Sequence, residues 1–197
     1  MKPGIAMMVS GSKKVITGSD GFDTNTGALY TVGKRLATTA VLSIQTASSF
    51  AYLYAEGYGV HAVAFRNDFL TDNGYIECDT DTAFEAGIVF RYKDINNYYL
   101  LAFGNDSGTY PAQNMRLLKS VGGVFTQLGS SVDLAWSSGQ KTFRLEVVGT
   151  SIKAYVGGVL QIDVTDSDIS GEGRVGFYSN SQSTADRTNA LRWSNAL

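Results

Sequence analysis

The chain has 197 residues, enough for one large β domain with its own core, and a net charge of −2 from 16 Lys and Arg against 18 Asp and Glu. No basic cluster appears, which excludes nucleic acid as an expected partner, because phosphate binding needs a concentrated basic face. The single cysteine, Cys78, excludes an internal disulfide, and no apolar run approaches the roughly 20 residues of a membrane-spanning helix.

Charged residues make up 17% of the chain and aromatics 12%, with 22 Gly and only 2 Pro. Abundant Thr, Val and Tyr favour strands, and the glycines supply tight turns between them. So low a charge content points to a surface that meets another protein or a glycan.

Residues 1–17 read as an extended N-terminal arm, punctuated by Pro3-Gly4 and Ser10-Gly11-Ser12. Its apolar patch, Ile5, Met7, Met8 and Val9, suits either an added strand along a neighbouring subunit or a loose terminus. The patch is too short for the apolar core of an export signal, so the expected product is made and assembled in the cytoplasm.

Residues 18–197 read as a single domain. From Gly18 to Gly59 alternation is weak, with Val41 to Ile44 and Phe50 to Tyr54 as strand candidates. Ala62 to Leu70 and Tyr75 to Asp79 follow, and Asn73-Gly74 between them is a hairpin signal, since both residues tolerate positive φ. Ala86 to Gly104 is the organising stretch: two strands around Asp94-Ile95-Asn96-Asn97. Its second strand, Tyr98 to Phe103, is apolar on both faces and therefore central. Ala112 to Ser120 and Val124 to Gly129 pair across Val121-Gly122-Gly123. Lys141 to Val148, Ile152 to Val156 and Val159 to Val164 form a meander, where Phe143, Leu145 and Val147 mark the core face. Arg174 to Ser179 and Ala190 to Asn195 close the chain, with Trp193 placed for burial. The expected fold is an all-β, two-sheet antiparallel β-sandwich with an N-terminal arm.

The run Gly87-Ile88-Val89-Phe90-Arg91-Tyr92, then Asp94 and Asn97-Tyr98-Tyr99-Leu100, resembles the middle hairpin of the concanavalin A-like, laminin G-like jelly rolls. The resemblance continues through Leu117-Leu118-Lys119, Phe143-Arg144-Leu145, Gly157-Gly158-Val159-Leu160 and Arg174-Val175-Gly176-Phe177-Tyr178, and covers residues 63–194. Phe22-Asp23 with Gly27-Ala28-Leu29 is similar to the opening of such domains, where a first strand closes against the last. The resemblance implies two curved sheets. It also brings in bacteriophage structural proteins and carbohydrate-binding modules, which share this fold.

Chemistry has few footholds. Glu77, Asp79 and Asp81 alternate on one strand, and the laminarinase-like glucanases, similar in fold, use such spacing for a nucleophile and an acid/base pair. Here the third position is an Asp and the surroundings lack tryptophan, so the expectation is no catalysis. His61 is the only histidine and forms no triad or zinc cluster. The resemblance implies calcium as an optional cofactor, with Asp20, Asp23 and Asp94 as candidate ligands and Asp163, Asp166 and Asp168 as a second group. Alternation places Arg91 opposite Phe90, and with Tyr99, Tyr110, Asn114 and Arg116 it makes a candidate polar-aromatic glycan patch. The expected role is a non-enzymatic virion protein of a phage particle, homo-oligomeric, partnered by other virion proteins and by a cell-surface glycan. A carbohydrate-binding module is the alternative, and a glucanase-like hydrolase the second one.

Overall fold

The computed structural model describes residues 15–22, 24, 26–35, 39–45, 48, 50–56, 61–80, 86–104, 114–134, 140–180 and 187–197. The strands are β1 (Thr17–Asp20), β2 (Tyr30–Arg35), β3 (Thr39–Gln45), β4 (Phe50–Glu56), β5 (His61–Thr71), β6 (Gly74–Thr80), β7 (Ala86–Asp94) and β8 (Asn97–Gly104). After them come β9 (Asn114–Val121), β10 (Val124–Gln127), β11 (Val132–Asp133), β12 (Lys141–Val148), β13 (Ser151–Val156), β14 (Val159–Thr165), β15 (Gly173–Ser179) and β16 (Arg187–Ser194). They form two antiparallel sheets packed as a sandwich. The first sheet runs β14-β13-β12-β6-β16-β4-β3, with β1 also on β16; the second runs β10-β9-β8-β7-β15-β5-β2, with β11 also on β9.

The first strand does close against the last, Thr17 opposite Ser194 and Asp20 opposite Leu191. Thr17, set at the end of the arm by the sequence, thus already belongs to the sheet; Ile5, Met7, Met8 and Val9 lie outside the described residues. Period-2 alternation sends Phe143, Leu145 and Val147 of β12 and Ile152 and Ala154 of β13 into the core between the sheets. Phe103 of β8 stacks on Phe143 of β12 at 4.0 Å across the sandwich. Cys78 and Trp193 are buried in the same core, and burial pushes the Cys78 thiol above its ordinary range, as suits an inert core residue.

The hairpins at β7–β8, β9–β10, β12–β13 and β13–β14 stand where the turn residues put them. Asn73-Gly74 does not make one. It carries the chain from β5 in the second sheet to β6 in the first. Gly74 is required there by close approach as well as by its φ of 134°, since a Cβ would lie 1.9 Å from the Ser194 carbonyl oxygen.

The second sheet is strongly curled. Laid flat, its edge strands β2 and β10 would be six spacings apart, roughly 29 Å. Instead Arg35 of β2 donates to the Gly123 carbonyl in the β9–β10 turn, and the rings of His61 (β5) and Phe125 (β10) are 5.0 Å apart. All of these groups project away from the first sheet, so the concave face is the one turned from the sandwich core. Tyr98, Leu100 and Ala102 of β8 fill it, together with Val63, Val89, Tyr92 and Tyr178. Tyr99, Leu101 and Phe103 point the other way, into the sandwich. That is how a strand with no polar face is accommodated.

Arg91 ties this curl to the rest. Between Phe90 and Asp94 the register slips, β7 advancing four residues while β8 advances two from Tyr99 to Asn97. Arg91 takes a φ of 50° in that bulge and turns inward, 3% exposed. Its guanidinium donates from Nε to Asp72 O (2.9 Å), from Nη1 to Ile169 O (2.9 Å) and from Nη2 to Gly149 O (2.7 Å). Three separate turns are thereby held by one planar fork.

Replacing Arg91 by Met leaves three carbonyls without their donor, the Ile169 one at a buried site. The unfolding free energy in urea is expected to fall by about 3 kcal/mol. Arg91→Lys recovers only part of that, because a single ammonium does not span the three positions. A loss under about 1 kcal/mol for the Met variant contradicts the bracing role.

Candidate functional site

The five residues of the glycan patch read from the sequence do not share a surface. Arg91 is enclosed by the three turns. Tyr99 sits opposite Phe90 in the β7–β8 pairing and is fully buried in the sandwich. Its hydroxyl donates to Asp166 Oδ1 at 2.7 Å and accepts from the Ile169 amide at 3.2 Å, and burial with the Asp166 charge pushes its pKa up to about 12. Tyr110 lies outside the described residues. Asn114 and Arg116 do come together on the concave face, opposite Gly104 and Ala102, but they are only 6% and 9% exposed.

Four of the calcium candidates, Asp20, Asp94, Asp166 and Asp168, are occupied by protein donors. Asp20 is buried and accepts from the Phe22 amide (3.0 Å), Thr26 Oγ1 (2.6 Å) and Tyr30 OH (3.1 Å), with Arg66 Nη1 at 3.5 Å. A carboxylate so surrounded has no use for a second cation. Asp94 accepts from the Asn96 amide at 2.7 Å and Asn97 Nδ2 at 3.0 Å, closing its own turn. Asp23 lies outside the described residues. In the second group the cation is a lysine: Lys119 Nζ donates to Asp166 and to Asp168, the latter at 2.5 Å, and these partners push its pKa up to about 12. Asp163, on β14, is exposed and stands across from Lys153.

Glu77 and Asp79 share the outer face of the first sheet, as their spacing requires. One guanidinium holds both: Arg192 Nε donates to Glu77 Oε1 at 2.7 Å, and its two terminal nitrogens donate to Asp79 at 2.9 and 2.7 Å. Thr142 adds a fourth donor at 2.6 Å. Arg192 holds the Asp79 carboxyl below its usual range. A retaining glycosidase needs an acid and a nucleophile free to reach the substrate, and here both carboxyls are tied to one guanidinium. Asp81 lies outside the described residues.

What the structure assembles instead is a file of rings along the concave face. Phe65 stacks on Tyr92 at 4.6 Å, Tyr92 meets Tyr98 at 5.7 Å, Tyr98 meets Phe125 at 6.1 Å, and Phe125 meets His61 at 5.0 Å. His61 stacks on Tyr178 at 5.8 Å, its Nδ1 hydrogen-bonded to the Tyr178 hydroxyl at 2.5 Å. Tyr92, Tyr98 and Tyr178 are buried, and Phe125 and His61 are partly exposed. The end of the file at Phe65 is open, its ring partly exposed, with the Arg174 guanidinium 5.5 Å from the centroid. Thr31 faces Phe65 across β2–β5, and its hydroxyl donates to Asn67 Oδ1 at 2.7 Å; both are exposed. An aromatic ring beside a guanidinium, a hydroxyl and an amide supplies an apolar platform and directional hydrogen bonds at one place. Sequence reasoning missed this end, because β5 and β15 are neighbours only through a pairing that no local spacing signals.

No protein-family model matches the chain, and no curated protein matches it in sequence. In three dimensions it is similar to the carbohydrate binding module CBM66 from Bacillus subtilis, 16% identical, with a TM-score of 0.57 over 81% of this chain and 91% of that one. It is similar also to a Bacillus licheniformis β-glucanase, 14% identical, with a TM-score of 0.58 over 90% and 97%. A third similar structure is the Emp47p carbohydrate recognition domain, 13% identical, with a TM-score of 0.57 over 86% and 89%. The fold is therefore the concanavalin A-like jelly roll.

His61 makes its end of the file sensitive to acid. Burial, reinforced by Arg35, lowers its pKa to about 4 from an unfolded value of 6.5. The unfolded chain takes up the proton first as pH falls, so this contribution is full above pH 6.5 and is lost on going down toward pH 4. Thermal melts across that window should show a falling midpoint, and His61→Phe, which keeps a ring in the stack, should flatten the slope. An unchanged slope in the variant assigns the acid sensitivity to other groups.

Proposed function

We propose that this chain is a non-catalytic carbohydrate-binding domain that engages its ligand at the open end of the concave face. The observation that carries the reading is the partly exposed Phe65 flanked by Arg174, Thr31 and Asn67. Pyranose rings present an apolar face of C–H groups and a rim of hydroxyls, and this set of side chains offers a partner for each. The fold neighbours add support, since their names describe a carbohydrate-binding module, a glucanase and a carbohydrate recognition domain. The ion-paired Glu77 and Asp79 favour binding over hydrolysis. Assembly into a phage particle, which the sequence puts first on the short apolar patch, the single cysteine and the arm, draws no support from the fold neighbours, and the arm's apolar patch lies outside the described residues.

A glycan array, followed by affinity electrophoresis on the polysaccharides it selects, tests the proposal. Retention on at least one saccharide class is expected, without release of reducing ends. Removing the two exposed hydrogen-bonding groups together, Thr31→Ala with Asn67→Ala, should weaken binding about tenfold while the melting midpoint stays in place. Retention that the double variant leaves intact moves the site elsewhere, and release of reducing ends makes the protein an enzyme.

A further inference from the structure

We infer that the ligand of this open end is an anionic saccharide, one bearing carboxylate or sulfate groups, and that Arg174 is the residue that receives the anion. The inference rests on the carbohydrate-binding reading and goes beyond it in naming the charge of the ligand.

The first ground is the state of Arg174. Five other arginines whose side chains are described have hydrogen-bond or ionic partners. Arg35 donates to the Gly123 carbonyl, Arg66 to Asp68, Arg91 to three carbonyls, Arg144 to Glu146 and Arg192 to Glu77 and Asp79. Arg116 has an interaction partner of its own. Arg174 has its cation–π contact with Phe65 and makes no hydrogen bond or ion pair with any described residue. It is not a loosely held surface side chain. Tyr92 lies directly across from it on β7, and Phe65 stacks on Tyr92, so the guanidinium packs beside a ring that is itself fixed. Packing beside a ring leaves the in-plane N–H groups available, and two of them match the oxygens of a carboxylate or sulfate.

The second ground is the charge of the surroundings. Register places the guanidinium groups of Arg35, Arg116 and Arg174 on the concave face. The described carboxylates that border its open end are engaged: Asp68 with Arg66 at 2.6 Å, and Asp94 within its own turn. An anion arriving beside Phe65 thus meets the Arg174 guanidinium directly, while Asp68 and Asp94 already have donors of their own. Thr31 and Asn67 stand next to it for the sugar hydroxyls.

The test compares dextran, dextran sulfate and polygalacturonate, with a panel of other neutral polysaccharides, on the full chain and on Arg174→Gln and Arg174→Lys variants. The expected result is retention on dextran sulfate or polygalacturonate, whichever anion the fork accepts, and none on dextran. Arg174→Gln should weaken that retention at least tenfold, and Arg174→Lys should restore only part of it, because an ammonium keeps the charge without the fork. Binding should also fall as salt is raised from 50 to 500 mM (about a tenfold range). Unchanged melting midpoints show that both variants are folded. Retention on a neutral polysaccharide, indifferent to Arg174→Gln, overturns the inference and leaves carbohydrate binding standing. Anionic retention that survives Arg174→Gln also overturns it, assigning the attraction to another part of the surface. Retention on no saccharide of either kind overturns the inference together with the reading beneath it.

Discussion

Three turns that have no reason to approach one another are held by the guanidinium of Arg91. The carbonyls it takes come from the crossing between the sheets (Asp72), from the β12–β13 hairpin (Gly149) and from the return between β14 and β15 (Ile169). The Ile169 carbonyl is buried and would otherwise lack a donor, and the other two are drawn to the guanidinium from partly buried connections. Asn73 Oδ1 then accepts from the Gly149 amide, and Lys119 and Tyr99 fasten Asp166 in the same return. One bulge in β7 therefore sets one whole end of the sandwich.

The curl of the second sheet follows from which residues sit on its outer face. A flat sheet carrying Tyr98, Leu100, Val89 and Val63 outward would expose a large apolar surface. Curling lets the face bury itself, with Phe125 and His61 meeting from strands that the sheet order places far apart. The consequence for function is that the hollow is filled by the protein's own rings. The end where Phe65 and Arg174 lie keeps a partly exposed ring beside hydrogen-bonding side chains. The first sheet solves its outer face differently, with Arg192 across from Glu77 and Glu77 across from Arg144, opposite charges on adjacent strands facing water.

Alternation and turn chemistry made most strands, four hairpins and the core residues of β12 and β13 legible in the sequence, because those depend on neighbours a few residues away. The failures share a cause. Arg91 was placed outward by strict alternation, which a bulge breaks without leaving a mark in local composition. Tyr99 was placed beside it, although pairing with Phe90 turns it into the core. Asn73-Gly74 has the chemistry of a hairpin turn and serves a crossing, since what decides between the two is where β6 finds its partners, β12 and β16, much later in the chain. The open end escaped for the same reason: Phe65, Thr31 and Arg174 belong to three strands that are joined only by long-range pairing.

The two arginines are not independent. Gly173, the first residue of β15, lies so close to the Arg91 backbone that a Cβ there would be 2.4 Å from the Arg91 carbonyl carbon. That approach, together with the pairing of Arg174 and Tyr92, fixes where β15 begins and hence where the Arg174 side chain leaves the sheet. A guanidinium positioned by a rigid strand and braced by an aromatic file loses little freedom when it meets an anion, so most of the attraction remains available for binding. The buried fork of Arg91 thus sets the geometry, and the one at the rim uses it.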